Sequence, residues 1–475
     1  MKFTFTPKIF VLTCFLLVCS NLSAQNNPLL AEDTIAQKEW VDSTYNAMSL
    51  KEKIGQLLMI SVSSESGKAY IEKAKKQISE EYIGGVIFSK GGPQRQIKLT
   101  NEFQELSRTP LLIGMDAEWG LAMRLDSTFA LPWNMTLGAI QDNNLIEEAG
   151  AAISRHSKRL GVHINFAPVV DINTNSNNPI IGNRSFGENK INVAEKSLAF
   201  MRGMHRVGTL SSAKHFPGHG DTDTDSHKTL PTIPFSKERL DSLELYPYYP
   251  LIAHGLSSVM VAHLNVPALQ ENPNTPSSLS KALITDLLKE KMNFEGLIFT
   301  DALNMKGLTN NAEPGDAELR AFLAGNDVLL MPEKVEVASE VLINAYKNNI
   351  ISPGRLAHSV KKILKAKYKV GLHQQQSIQE NFIFEELNSV RDKVLLEELF
   401  ENAITLIKNN RAVLPVKDIA DTRIAYVNFG DDDGSTFLNE LKRYAHIDWV
   451  SATHLNDLQK KLEEYDLVIL GYHKS

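Results

Sequence analysis

The sequence predicts an α/β protein: a (β/α)8 TIM-like barrel followed by the start of a second α/β domain. Short runs of branched apolar residues recur between residues 57 and 332, and most are separated by stretches long enough for a helix. Nearly continuous apolar runs are typical of strands that are buried on both faces of a parallel sheet. Eight strands alternating with helices favour a closed barrel, with a doubly wound open sheet as the alternative. The runs are LLMISV (57–62), GGVIF (84–88), PLLIGMD (110–116), INFAPVVDIN (164–173), SSAKHF (211–216), SVMVAHLNV (258–266), GLIFTD (296–301) and DVLLMP (327–332).

Helix boundaries can be placed around these strands. Ser49 and Glu52 have the spacing of a capping box ahead of apolar residues, which marks a helix start. The stretch 144–159, between the third and fourth runs, is long enough for a helix. After the last run, SPGRLAHSVKKILKAKYKVG carries one apolar stripe, with Pro353 near its start and Gly371 after its end. This pattern predicts the helix that closes the first domain.

A polar, glutamine-rich segment separates the barrel from a second α/β segment. We place the barrel at residues 25–372, a linker with a connecting helix at 373–410, and a partial α/β domain at 411–475. In the last segment TRIAYVNFG, IDWVSAT and LVILGYH are predicted strands, and STFLNELKRYA and LNDLQKKLEEYD are predicted helices. Three strands are too few for a doubly wound sheet with both faces covered, so we expect the chain to be a piece of a longer protein.

The N-terminal 24 residues have the features of an export signal. Two lysines precede an apolar run over residues 9–18, and small polar residues follow. We therefore predict an exported protein, periplasmic or extracellular. Both cysteines lie in this segment, so the mature protein would have no disulfide. Lipid anchoring at Cys19 is the alternative, disfavoured because the preceding valine is larger than the residue such signals usually carry.

The overall composition narrows the choice of partners. The chain has 475 residues and a formal net charge of −6. This net negative charge argues against a nucleic acid partner, because nucleic acids are themselves negatively charged. After the signal, no segment approaches the roughly 20 apolar residues of a membrane helix. We therefore predict a protein without a transmembrane segment.

Polar residues gather at the ends of the apolar runs. In a barrel these C-terminal ends share one rim, which is where the active site of this fold lies. Segments that are distant in sequence can therefore meet there. The polar residues at the ends of the runs are Asp116, Asp171, Lys214, His215, His263 and Asp301.

The stretch KHFPGHGDTDTDSH, residues 214–227, concentrates titratable side chains where Pro217 and Gly218 prevent a helix. A solvated polar loop is the simplest interpretation. Its alternating aspartates suggest a calcium loop, but Ser226 and Thr232 stand where glycine and glutamate are required. Its three histidines suggest zinc, but their spacing presents one face only on a helix.

Acid-base chemistry is the remaining interpretation of this stretch. Asp225 and His227 are two residues apart, so in an extended loop their side chains point to the same side. The carboxylate can then fix the imidazole tautomer and raise its basicity, which suits a residue that both donates and accepts a proton. Asp301 is the candidate nucleophile for such a pair, and a helix-capping aspartate is the alternative for that position.

These residues resemble glycoside hydrolase family 3, and specifically its N-acetylglucosaminidase branch. The branch motif, a Lys-His-Phe-Pro-Gly-His-Gly run followed by Asp-x-His, is present in full over residues 214–227. The resemblance covers most of residues 45–372, and the later α/β segment resembles the start of the family's C-terminal domain.

The resemblance implies a role for each matching residue. Asp301 would be the nucleophile, and His227 the general acid and base, with Asp225 as its partner in a dyad. No metal and no organic cofactor is implied. The residues that would bind the sugar are Asp116, Arg124, Arg184, Lys214 and His215.

The activity implied is that of a retaining, exo-acting β-N-acetylhexosaminidase, which releases terminal N-acetylglucosamine from peptidoglycan-derived or other glycan fragments. The alternatives are a β-glucosidase or β-xylosidase of the same family, and a non-catalytic glycan-binding protein. Phosphorolysis also stays open, because a neutral histidine repels phosphate less than a carboxylate does.

One position departs from the family pattern. Trp119 stands where the family commonly has a glycine after the Asp-x-Glu that follows its third strand. Large aromatic side chains are usually buried. We therefore expect Trp119 to pack in the core, with the wall of the sugar site as the alternative.

Overall fold

The computed structural model describes residues 27–224, 230–270, 272, 275–305, 313–374 and 376–473. The predicted export signal, with Cys19, lies outside these residues. The chain divides into two compact units, Met1–Ile404 and Thr405–Ser475. The boundary therefore falls inside the segment 373–410 that the sequence assigns to a linker and a connecting helix.

The first unit contains an eight-stranded parallel sheet that returns on itself. Its strands pair in chain order, and β8 pairs with β1. A bridge between Phe299 and Val328 joins the last two strands, so the predicted (β/α)8 barrel is confirmed. The strands are β1 Leu58–Ser63, β2 Gly85–Lys90, β3 Leu112–Met115, β4 Ile164–Asn165, β5 Leu210–Phe216, β6 Ser258–Val261, β7 Leu297–Thr300 and β8 Leu329–Leu330.

Helices connect these strands, and further helices come after β8 in the chain. A π-helical segment, Ala282–Lys291, lies between β6 and β7. No helix in the described part of the chain is long and apolar enough to span a bilayer. The α-helices are α1 Thr34–Ala47, α2 Leu50–Gly55, α3 Lys68–Glu81, α4 Pro93–Leu106, α5 Asn134–Ala139, α6 Asn143–Arg159, α7 Lys190–Val207, α8 Lys237–Ser242, α9 Tyr248–Ala253, α10 Asp316–Ala324, α11 Val335–Lys347, α12 Pro353–Lys369, α13 Ile383–Leu387 and α14 Val390–Ala403.

Local sequence signals account for two of these helices. The Ser49 hydroxyl accepts the Glu52 N–H at 3.3 Å, and the Glu52 carboxylate accepts the Ser49 N–H at 2.6 Å, so the predicted capping box starts α2. The apolar stripe of α12 is buried at Leu356, Val360 and Ile363. Burial of one stripe is what holds a helix of this kind against a barrel.

The second unit is a three-stranded parallel sheet with strand order β10-β9-β11. The strands and helices that the sequence predicts here are all present. Tyr426 and Leu438 belong to one small apolar cluster, and Val427 and Leu458 to another. The elements are β9 Ile424–Gly430, α15 Ser435–Leu441, β10 Ile447–Trp449, α16 Leu455–Leu462 and β11 Leu467–His473.

Candidate active site

The ends of β3 and β5 are joined by one buried lysine. Lys214 lies near the end of β5, and its Nζ is 2.8 Å from both Asp116 Oδ1 and Glu118 Oε1. The two carboxylates directly follow β3. The Lys214 side chain is only 3% exposed, so both ion pairs lie beneath the surface of the C-terminal rim.

Two arginines extend this cluster. Arg184 donates two hydrogen bonds to Glu118, from Nε to Oε2 at 2.9 Å and from Nη2 to Oε1 at 2.8 Å. Arg124 Nη2 donates to Asp116 Oδ2 at 2.7 Å. Bidentate arginine–carboxylate pairs fix orientation as well as distance. The structure therefore brings the predicted sugar-binding residues Asp116, Arg124, Arg184 and Lys214 into one hydrogen-bonded network.

The cations keep both carboxylates of this network charged. Burial alone raises the pKa of Asp116, but Lys214 and Arg124 outweigh burial and hold that pKa below its ordinary value. The pKa of Glu118 is also lowered, because Lys214 and Arg184 outweigh its burial. At neutral pH the cluster therefore offers carboxylate oxygens and cationic N–H donors together, the combination that binds vicinal hydroxyls.

His215 is held in one orientation by Asp171. Its Nδ1 is 2.6 Å from Asp171 Oδ2, and its backbone N–H donates to the same carboxylate. Its Nε2 lies 3.3 Å from Arg184 Nη2. Because an arginine can only donate, Nε2 accepts and Nδ1 carries the proton. The pairing of β5 with β6 is irregular between Ala213 and Phe216. This irregularity allows the consecutive residues Lys214 and His215 both to place their side chains in the site.

Asp301 directly follows β7 on the same rim. Its Oδ1 accepts the Ala302 N–H at 2.8 Å. Burial raises the pKa of this carboxyl, but the His263 and His215 rings outweigh burial and hold the pKa below its ordinary value. An ionised carboxylate is the form that a nucleophile requires. His263 itself is buried and hydrogen-bonded to Ser278 Oγ and to Ala302 O.

The predicted dyad and two residues without a predicted role complete the account of the site. The predicted dyad, Asp225 and His227, lies outside the described residues. Asp171 was predicted to lie on the rim but was given no role, and Glu118 was not predicted as a site residue, although both are central to the cluster. Both had a signal in the sequence, because Asp171 follows β4 and Glu118 belongs to the Asp-x-Glu that follows β3.

The prediction that Trp119 packs in the core is wrong. Its side chain is half-buried and stacks on Trp133, with ring centroids 4.3 Å apart and planes inclined by 17°. The preceding residue, Glu118, turns inward to Lys214 and Arg184. Trp119 lies in a turn between Glu118 and Gly120, which form a bridge, and its indole packs on Trp133 rather than in the barrel core.

Comparison with known proteins agrees with this geometry. Residues 49–366 match the N-terminal domain of glycosyl hydrolase family 3. The chain belongs to glycosyl hydrolase family 3. It is 31% identical over 435 residues to beta-hexosaminidase A of Pseudoalteromonas piscicida, a match that covers 84% of this chain and 71% of the relative.

Two further proteins are similar to this chain over most of their length. The chain is 28% identical over 395 residues to a beta-N-acetylglucosaminidase/beta-glucosidase of Cellulomonas fimi, covering 82% of this chain and 69% of that protein. A family 3 beta-N-acetylglucosaminidase structure from Paenibacillus sp. FPU-7 superposes with a TM-score of 0.74 at 29% identity, covering 90% and 85% of the two chains. The predicted family is confirmed, and the chain is a glycoside hydrolase.

Glu118→Gln tests the cluster as a positioning device. The substitution keeps the volume but removes the charge that Lys214 and Arg184 share, so both side chains should shift. We expect kcat/KM for an aryl glycoside to fall about a hundredfold, the effect of a misplacement of about 1 Å. Steady-state kinetics measure the loss.

Glu52→Gln is the matched control for this prediction. Glu52 is also a buried carboxylate, paired with Arg108 at 2.8 Å, but it precedes β1 at the opposite end of the barrel. We expect Glu52→Gln to lower the melting temperature and leave kcat/KM near that of the parent. Equal kinetic losses in the two variants would contradict the positioning role of Glu118.

Proposed function

We propose that this chain is a retaining, exo-acting β-N-acetylhexosaminidase that releases terminal N-acetylglucosamine. The observation that carries the proposal is the Asp301 carboxylate, held ionised at the end of β7 on the rim that also bears the Lys214–Glu118–Arg184 cluster. The motif over residues 214–227 and the similarity to beta-hexosaminidase A support the proposal.

The first chemical step forms a covalent glycosyl-enzyme. An Asp301 oxygen attacks the anomeric carbon and forms a bond to it while the glycosidic bond breaks. The bonding pair passes to the departing oxygen, which takes a proton from imidazolium His227. The transition state resembles an oxocarbenium ion, and the Asp301 carboxylate stabilises its positive charge.

The second step returns the enzyme to its starting state. Neutral His227 accepts a proton from water as the water oxygen attacks the anomeric carbon, and the bond to Asp301 breaks. Two displacements at one carbon retain its configuration. Asp225 orients the ring and stabilises its protonated form, which gives His227 the role that a second carboxylate has in most retaining glycosidases.

The cluster supplies recognition of the sugar. Asp116 accepts from hydroxyls far from the scissile bond, while Arg124 and Lys214 donate to hydroxyls, and Arg184 lies along the acetamido group. Glu118 is fully buried, so the cluster is closed from below.

The biological setting is part of the same proposal. Peptidoglycan-derived or other glycan fragments are the substrates, and the N-terminal pattern of residues 1–24 directs the protein out of the cytoplasm. A β-glucosidase activity is the second candidate, favoured by the double name of the Cellulomonas fimi relative. In that case the acetamido group would contribute little to binding.

A comparison of two substrates separates these candidates. We expect kcat/KM for an aryl β-N-acetylglucosaminide to exceed that for the matching β-glucoside at least tenfold, because Arg184 gains a partner in the acetamido group only with the former. The purified chain is assayed with both substrates, which carry the same aryl leaving group. A ratio at or below one would replace the first candidate with the second.

Asp301→Ala tests the nucleophile. The variant can form no glycosyl-enzyme, so turnover of the aryl N-acetylglucosaminide should fall by at least four orders of magnitude, on the scale of removing a catalytic nucleophile. Circular dichroism and the melting temperature establish that the fold persists. Asp316→Ala, an exposed aspartate in α10, is the control. Undiminished turnover in Asp301→Ala would remove the assignment.

His227→Ala tests the acid. Poor leaving groups need protonation and activated ones do not, so the loss in kcat/KM should be far larger for a disaccharide than for a dinitrophenyl glycoside. Added azide should accelerate turnover of the activated substrate, since an anionic nucleophile needs no general base. Equal losses for both substrates would show that His227 is not the general acid.

A further inference from the structure

Two tryptophans form a stacked pair on the loop that leads from β3 to α5. Trp119 and Trp133 stack with centroids 4.3 Å apart, and Trp133 is 45% exposed. A loop that follows a barrel strand lies at the C-terminal face, which is also the face of the active site. The pair therefore shares its face with Asp116 and Asp301.

The residues next to the two tryptophans bond to the sugar-binding cluster, and the Trp119 backbone bonds within its own loop. Trp119 directly follows Glu118, which accepts two hydrogen bonds from Arg184. Trp133 directly precedes Asn134, whose Nδ2 donates to the Arg184 carbonyl at 2.7 Å. Within the loop, the Trp119 carbonyl accepts the Leu131 N–H at 2.9 Å. Both indoles are thus next in sequence to a residue that holds Arg184.

A stacked pair with one open ring suits the flat face of a sugar. The axial C–H groups of a β-linked pyranose form an apolar, weakly positive face, and the face of an indole is apolar and negative. Stacking buries both surfaces and leaves the sugar hydroxyls at the ring edge in water. A rigid indole also loses little conformational entropy on binding.

We propose that Trp119 and Trp133 form an aromatic platform for the sugar on the leaving-group side of the scissile bond. This inference rests on the proposed function. In an exo-acting enzyme the terminal sugar fills the closed cluster around Lys214, so the rest of the glycan leaves over the rim. The exposed face of Trp133 lies on the same face of the barrel and is available to this outgoing part of the substrate.

Two substrates with and without an outgoing sugar test the platform. In Trp133→Ala we expect kcat/KM for chitotriose to fall about tenfold, while kcat/KM for N-acetyl-β-glucosaminyl fluoride stays within twofold of the parent. The fluoride has no ring to stack, and its leaving group needs no protonation. Trp133→Phe keeps an aromatic face and should recover most of the chitotriose activity.

Trp449→Ala is the matched control, because Trp449 is 59% exposed and belongs to the second unit. It should leave both rates unchanged. Equal losses for both substrates in Trp133→Ala, or no loss for either, would overturn the platform and leave the proposed function standing. A parent protein that turns over neither substrate would overturn the proposed function, and the platform with it.

Discussion

The candidate site depends on one buried carboxylate. Glu118 is fully buried and accepts from Lys214 Nζ and from Nε and Nη2 of Arg184. These cations come from β5 and from the segment before α7, so three separate stretches of the barrel converge on one group. Removing one partner of a buried ion pair leaves the other charge unpaired, which is strongly unfavourable. The three side chains therefore hold one another in a single arrangement. The other site residues of the rim lie beside this arrangement.

The site divides into a rigid part and a part that must exchange protons. The rigid part uses groups whose charge is locked: burial and neighbouring cations keep the pKa values of Asp116 and Glu118 low, so their charge does not change during the reaction. Asp301 is kept ionised in the same way. In the proposed mechanism, proton transfer belongs instead to His227, which is not a member of this cluster. The proposed mechanism therefore separates the residues that bind the sugar from the residue that exchanges protons.

The sequence predicted the barrel because strand burial leaves a direct pattern. All eight apolar runs overlap a strand, but the fourth strand is only Ile164–Asn165, since Pro168 has no N–H to extend the ladder. The rim residues were found for the same reason, by following each strand to its end. The partnership of Glu118 with Lys214 and Arg184 was not predictable, because it joins residues far apart in sequence. Trp119 was misplaced because composition alone does not reveal which way a loop side chain points.

A second ion cluster in the same barrel shows why the rim cluster is suited to binding. Asp327 precedes β8 at the opposite end, is fully buried, and accepts from Lys362, Ser359 and the Ile298 N–H. Its acceptor sites are filled by the protein itself. On the rim, by contrast, Asp116 and Arg124 remain 17% and 29% exposed although they are paired. Ion pairs contribute little to stability unless every donor and acceptor is satisfied, so a partly open cluster of this kind is better explained by the hydroxyl groups that complete it.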